Sequence, residues 1–320
     1  MVAVLNASTQ EPTWAQFCGG AVIGPRRVLT AAHCVVDRSS SSVEVLVGQT
    51  RLSESGGRRI AVRAISVAPG FIDGMHRNAD AAVLTLAADA GVPALALAGE
   101  VPALPATAWT MGWGALNARA SRGGNWYYAD RLHELAVPVQ SDDACENAYG
   151  VGFREFPYTP AWLLCAGTGD GRSGTCWGDS GAPLVLSAPT GWVDVGILNG
   201  GDACAAPGYF DFYVRADQIR AFALGAPLAR QPDSVTRPRV TGKIETGGVV
   251  RCLVGRWRGS DVRYTVRWTR LGDRAHRTIA RGLRYRLTAR AARAGVRCTV
   301  TAVSRGGRNT AASPPARGTT

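Results

Sequence analysis

The chain has 320 residues, of which 46% are hydrophobic and 19% charged, so it can bury a sizeable core and is not a disordered polymer. Its length suggests two domains, and its net charge of +12 is unevenly placed. Residues 233–320 hold 20 Lys and Arg against 4 Asp and Glu, a net of +16, while residues 1–232 carry a net of −4.

From the start of the chain, Met1 to Gln10 lack the basic, apolar and small-residue pattern of a secretory leader. The expectation is a trimmed start. Short aliphatic runs follow at Val43–Val47, Ile60–Val67, Ala81–Leu86, Pro183–Leu186 and Val193–Leu198, separated by Gly, Pro, Ser and Asn. Such spacing predicts an all-β barrel or sandwich. A helix is predicted at Asp217–Leu224, closed by Gly225. The domain is therefore expected over residues 1–225, with a linker over 226–238. Strands recur at Val249–Val254, Val262–Thr269 and Cys298–Val303, giving a basic β domain over 239–310 and a flexible tail over 311–320. No apolar run reaches the roughly 20 residues of a membrane helix, so no transmembrane segment is expected.

The eight cysteines are Cys18, Cys34, Cys145, Cys165, Cys176, Cys204, Cys252 and Cys298. An even number with no CxxC pair favours disulfides over zinc or a dithiol redox pair, and disulfides persist outside the cytoplasm. A secreted protein is expected. His76, His133 and His276 lack metal-ligand spacing, and Gln49–Arg59 offers a hard cation only Glu54. No metal or cofactor is expected.

Three segments carry chemistry. Gly178-Asp179-Ser180-Gly181 places a hydroxyl where flexible glycines can aim backbone amides at one point. Leu29-Thr30-Ala31-Ala32-His33-Cys34 supplies a candidate base that could activate such a hydroxyl. Asn78-Ala79-Asp80-Ala81-Ala82 leads a carboxylate into an apolar strand, a costly placement unless a partner meets it. Alone, each has a bland reading as a turn or a structural residue.

Taken together, these segments resemble the chymotrypsin/trypsin family of serine endopeptidases. Cys18-Gly19-Gly20, Gly112-Trp113-Gly114, Leu164-Cys165-Ala166-Gly167 and Pro207-Gly208-Tyr209 extend the likeness over residues 1 to about 225. The resemblance implies a two-barrel fold and a catalytic triad of His33, Asp80 and Ser180. It also implies an oxyanion hole from the Gly178 and Ser180 N–H groups, and disulfides Cys18–Cys34, Cys145–Cys165 and Cys176–Cys204. The substrate pocket falls on Gly174, Thr175, Trp177, Asn199, Gly200, Gly201 and Gly208. Gly174 stands where trypsin-like members carry an aspartate, so a neutral, open slot is expected, favouring large hydrophobic or aromatic residues. A preference for smaller aliphatic residues is the runner-up.

Departures from the family pattern are Ala182 after Gly181, Asn199 in place of a serine, and Gly200 in place of a tryptophan. Met1–Leu5 matches a strand that the family begins later. Asp179 is then expected to lack the ammonium partner of an activated N-terminus, and to protonate or to swing out to water. In the C-terminal part, Cys252, Trp268 and Cys298 resemble the Cys…Trp…Cys pattern of immunoglobulin-like sandwiches, although Val296 stands where a tyrosine corner would place tyrosine. The Ala, Arg and Gly content suggests a GC-rich bacterial source. The basic domain suits anionic cell-surface polymer rather than specific nucleic acid, for which no motif is present. A monomer acting on protein or peptide substrates is expected. The competing readings are a catalytically silent binding protein on the same scaffold, and an adhesive protein led by its basic domain.

Overall fold

In the computed structural model, the described residues are 1–69, 71, 79–117, 127–149, 158–225, 232–258, 262–272, 278–304 and 307–318. His76 and His276 lie outside them, as does the 226–231 part of the expected linker. The chain divides into two compact units, Met1–Leu228 and Ala229–Thr320.

The first unit opens with β1 (Val2–Asn6), a single helical turn α1 (Pro12–Ala15), β2 (Gln16–Gly24), β3 (Arg27–Thr30), β4 (Val43–Val47), β5 (Arg58–Val67) and β6 (Ala82–Leu86). These strands close into a barrel in the order β1-β2-β3-β6-β5-β4. Closure follows from composition: β-branched side chains such as Val2, Val4, Val22, Val28, Val43, Val45 and Ile60 fill the interior. Since every strand is paired on both sides, the barrel has no free edge.

A second sheet contains β7 (Ala96–Leu97), β8 (Thr107–Gly112), β9 (His133–Pro138), β10 (Leu163–Ala166), β11 (Pro183–Ala188), β12 (Gly191–Gly200) and β13 (Asp211–Arg215). Its order is β10-β13-β12-β11-β8-β9, with β7 beside β12; it curls without closing. Ala108, Leu164, Ala182, Leu184 and Tyr213 fill its concave side. Two helices complete the unit, α2 (Asp142–Tyr149) and the expected C-terminal helix α3 (Ala216–Ala223). Tyr149 of α2 and Ile219 of α3 share a core with Leu29 and Val83 of the barrel and with Trp162 and Phe212. Burying side chains of this size stabilises the fold by about 2–3 kcal/mol each. The all-β, two-barrel class expected from the sequence is the observed one.

The second unit has β14 (Asp233–Ser234), β15 (Arg239–Thr241), β16 (Val249–Leu253), β17 (Trp257–Arg258), β18 (Arg263–Arg270), β19 (Thr278–Arg281), β20 (Arg284–Arg286), helix α4 (Ala289–Ala294), β21 (Val296–Ser304) and β22 (Gly307–Ala312). They form a three-stranded sheet β15-β16-β20, a four-stranded sheet β19-β18-β21-β22 and a β14–β17 pair. Cys252 of β16 is bonded to Cys298 of β21, tying the two larger sheets together. Trp268 lies opposite Cys298, fully buried. Arg251, Arg263 and Arg267 alternate outward from these strands while Val250, Cys252, Val266 and Trp268 point in, so much of the arginine excess is a solvated strand face.

Two boundaries differ from expectation. Asp233 and Ser234, assigned to the linker, pair with Arg258 and Trp257. The tail is not frayed over residues 311–318: Ala311 and Ala312 extend the β21–β22 ladder, and Ala316 exchanges two backbone bonds with Val296. Ser313 is 2% exposed and its Oγ accepts from the Cys298 N–H. The tail's Ala, Ser, Pro and Thr read as a frayed end, but small side chains also fit closely over a neighbouring strand.

Candidate active site

The site is built at the ends of short, tightly held elements. A 3-10 turn, Ala32–Cys34, follows β3 and carries His33. Immediately before β6, Ala79 takes a left-handed backbone with φ of 46° although it is fully buried. A non-glycine residue holds such a conformation only where its surroundings demand it. The following residue is Asp80, completely shielded from solvent. Its Oδ2 lies 2.7 Å from His33 Nδ1 and its Oδ1 accepts the His33 backbone N–H at 2.9 Å. Two bonds to one residue fix the ring's position, and a carboxylate on Nδ1 selects the tautomer that leaves Nε2 able to take a proton.

Ser180 comes from the loop ahead of β11. The Ser180 carbonyl accepts the Gly19 N–H of β2 at 2.8 Å. Cys34 Sγ, oxidised in the Cys18–Cys34 disulfide, lies 3.8 Å from His33 Nε2 and 3.9 Å from the Ser180 carbonyl oxygen. His33 and the Ser180 backbone thus flank the same disulfide sulfur. Cys18, His33 and Cys34 cluster at metal-ligand distances, but disulfide sulfurs are not thiolate ligands.

The loop's glycines are required by geometry. Gly178 has a φ of +98° and Gly181 of +84°. A side-chain carbon on Gly181 would lie 2.4 Å from Thr30 Oγ1 and 2.5 Å from the Gly19 carbonyl, so only glycine lets the nucleophile loop dock on the barrel. The Gly178 carbonyl accepts Gln16 Nε2 at 2.8 Å.

Of the two alternatives expected for Asp179, swinging out to water is not the one seen. Its carboxylate is turned inward, accepting from the Gly114 N–H at 2.7 Å and the Cys176 N–H at 3.0 Å. Gly112 and Gly114 make room for it, since a side-chain carbon at either would overlap the carboxylate. Burial pushes its pKa up, while those two amides and the His133 charge pull the other way. Backbone donors hold it inside, and the upward pKa shift favours its protonated form. His133 itself is exposed at the start of β9, in keeping with a surface residue.

The expected pocket residues gather beside the loop. Gly174, Thr175, Cys176 and Trp177 lead into Gly178, with Trp177 62% exposed at the surface. Asn199 is buried and Gly200 and Gly201 follow it. Beside Gly200 and Gly208 a side chain would meet open space. The Cys176–Cys204 disulfide braces this region, and Cys145–Cys165 joins α2 to β10; all three pairings expected here are present.

Sequence reading missed Asp211, the first residue of β13. It is 7% exposed, and its Oδ2 accepts the Thr175 N–H at 2.9 Å. Its signal was available: Asp211-Phe212-Tyr213-Val214 repeats the pattern of Asp80, an aspartate running straight into an apolar strand. Gln16 and Tyr128, whose ring lies against Gly178, gave no such signal.

The first unit is similar in sequence to known proteins. A family model described as "Trypsin" matches residues 1–223. The chain is similar to "Trypsin" of Saccharopolyspora erythraea, 38% identical over 208 residues, which cover 64% of this chain and 84% of the relative. It is 36% identical over 209 residues to "Trypsin-like protease" of Streptomyces glaucescens, covering 64% and 72%. Likewise it is 30% identical over 220 residues to "Trypsin eta" of Drosophila erecta, covering 67% and 79%.

Proposed function

Because this chain belongs to the trypsin family of serine proteases, we propose that it is a secreted endopeptidase working through an acyl-enzyme, with His33, Asp80 and Ser180 as its triad. The observation that carries the reading is the doubly bonded pair of His33 with a completely buried Asp80, beside the Gly178–Ser180 loop. Ser180 Oγ attacks the scissile carbonyl carbon as His33 Nε2 takes its proton. The carbonyl oxygen, now anionic, is met by the Gly178 and Ser180 N–H groups. His33 then returns the proton to the leaving amine as the C–N bond breaks, and water repeats the cycle to free the acid. Asp80 holds the ring and stabilises its charged form.

The pocket around Gly174, Thr175, Trp177, Asn199, Gly200, Gly201 and Gly208 is open and favours a large hydrophobic or aromatic residue before the cleaved bond. Four disulfides favour an oxidising, extracellular setting. Among the described residues no helix is long and apolar enough to cross a membrane. We read residues 239–310 as an immunoglobulin-like domain, on the inter-sheet disulfide and the buried Trp268. Its outward arginines suit anionic cell-surface polymer, which would hold the enzyme near its protein substrates.

Replacing the nucleophile tests the reading. Ser180→Ala is expected to lower peptide hydrolysis by about 10⁴-fold or more, leaving what the oxyanion donors and binding supply. A fluorophosphonate should label the unaltered protein and not the variant. Equal labelling of both would refute the triad and favour a silent binding protein.

A further inference from the structure

We propose that the C-terminal unit holds a pocket for a phosphate group, free or carried on a polymer, and that Arg237 and Arg297 bind it. This deepens the reading of that unit as one that takes anionic polymer, and rests on it only for the source of the phosphate. It is independent of the protease reading.

Strand β21 alternates. Val296, Cys298 and Val300 enter the apolar core of the unit, so Arg297, Thr299 and Thr301 face the other side of the sheet. On an open face an arginine would simply reach into water. Here its neighbours are covered: Thr269, opposite Arg297 on β18, is 7% exposed, and Thr301 is 5% exposed. Segments from the two ends of the unit meet β21 and β22 in this region. β14 lies beside β22, and Ser313 is pinned to β21 through the Cys298 N–H.

Between these segments is a cavity of about 520 Å³, within the range of small-ligand sites, about 300–1,000 Å³. Ser234 and Arg237 line it from the start of the unit, Arg297 from β21, and Thr310, Ser313 and Pro314 from its end. Arg237 and Pro314 are exposed, so the cavity opens to solvent and admits a group still attached to a chain. Ser313 is wall rather than donor, since its hydroxyl already bonds the Pro314 carbonyl. The hydroxyls of Ser234 and Thr310 add to the two guanidinium groups as polar lining.

Arg297 Nε is shielded from water and has no hydrogen-bond partner among the described residues. A buried donor left unmet costs stability, and a ligand oxygen is what such a donor lacks. Every ion pair among the described residues lies in the first unit, and no acidic side chain is among the described residues that line the cavity. A planar carboxylate satisfies one guanidinium fork, whereas the tetrahedral oxygens of phosphate meet two forks that come from different walls. Outside the pocket, Arg251 lies opposite Arg284 and Arg267 opposite Arg281. Such like-charge pairs destabilise a sheet unless anions gather over them. A surface of this kind draws in a polyanion, and the pocket then seats one of its phosphates.

Calorimetric titration with inorganic phosphate reads the pocket directly, on the 320-residue chain carrying Ser180→Ala so that self-digestion is absent. We expect saturable binding that weakens about tenfold or more in Arg297→Gln and recovers only in part in Arg297→Lys, which keeps the charge but loses the fork. Arg237→Gln, at an exposed residue that the fold does not need, should weaken it several-fold. Arg263→Gln removes an equal charge from β18, outside the cavity lining, and should leave phosphate binding unmoved. A second titration, with poly(glycerol phosphate), separates the sources: the polymer is expected to bind more tightly than the free ion, with the same dependence on Arg297. If it binds no better than the ion, the pocket stands with free phosphate as its ligand, and the polymer reading of the unit fails. Absence of phosphate binding, or equal weakening by Arg263→Gln and Arg297→Gln, overturns the proposal whatever the polymer does.

Discussion

The two halves of the first unit divide the labour differently. The closed barrel contributes His33 and Asp80, and the one carboxylate it buries at the site is bonded twice to its partner histidine. The open second sheet contributes Ser180 and the pocket, and it buries three more carboxylates: Asp179, Asp194 and Asp211. Burial raises all three pKa values, and each is met mainly by backbone N–H donors. His33 and Asp80 therefore sit on edge-free structure, whereas Ser180 and the expected pocket residues sit on the sheet whose buried carboxylates are met by backbone N–H groups.

Removing the charge from the barrel's pair tests this most severely. Asp80→Asn should keep the fold but favour the wrong histidine tautomer, lowering kcat/KM by about 10⁴-fold on Arg and Phe peptides equally. A loss confined to one peptide would show that Asp80 also shapes the pocket, and the division would fail.

The seam between the halves comes next. Gly181→Ala places a carbon within 2.5 Å of the Gly19 carbonyl on the barrel, in a left-handed backbone. We expect a loss of about 4 kcal/mol in stability, from overpacking and strain together. Denaturant unfolding measures it, and a cost below about 1 kcal/mol would mean that the halves adjust freely.

The smallest effect concerns the second sheet alone, and its sign is opposite. Asp211 has a folded pKa of about 6, above the unfolded value of about 3.9. The folded state thus holds this proton more tightly. Stability from this group is full below about pH 4 and is lost as pH rises through 6, a change of about 3 kcal/mol. Asp211→Asn should therefore be more stable than the unaltered protein at pH 8, with the gain shrinking towards pH 4. Equal stabilities at pH 8 would show that the carboxylate is already compensated.

Much of this was legible in sequence because each triad segment is local: a short strand, a turn and one polar residue. The strand Val43–Val47 was read to its ends, and α3 within a residue. Helices α2 and α4 were missed although their caps are present, since Ser141 Oγ accepts from Ala144 and Thr288 Oγ1 from Ala291. Their apolar stripes are too short to show a period. Asp211 carried the signal of an aspartate running into an apolar strand but not its meaning, which depends on Thr175, 36 residues away, and on a side chain that Gly201 does not have. The inward Asp179 depends likewise on Gly112 and Gly114, far back in the chain.

Arginine makes up 35 of the chain's 36 basic residues, most of them in the C-terminal unit. Arg267 is paired with Arg281 on β19 and Thr299 on β21. A protease must take its substrate as an extended, unpaired segment, and proteolysis of a folded domain waits on local opening. The ladder that displays these arginines therefore also shields the peptide bonds beside them.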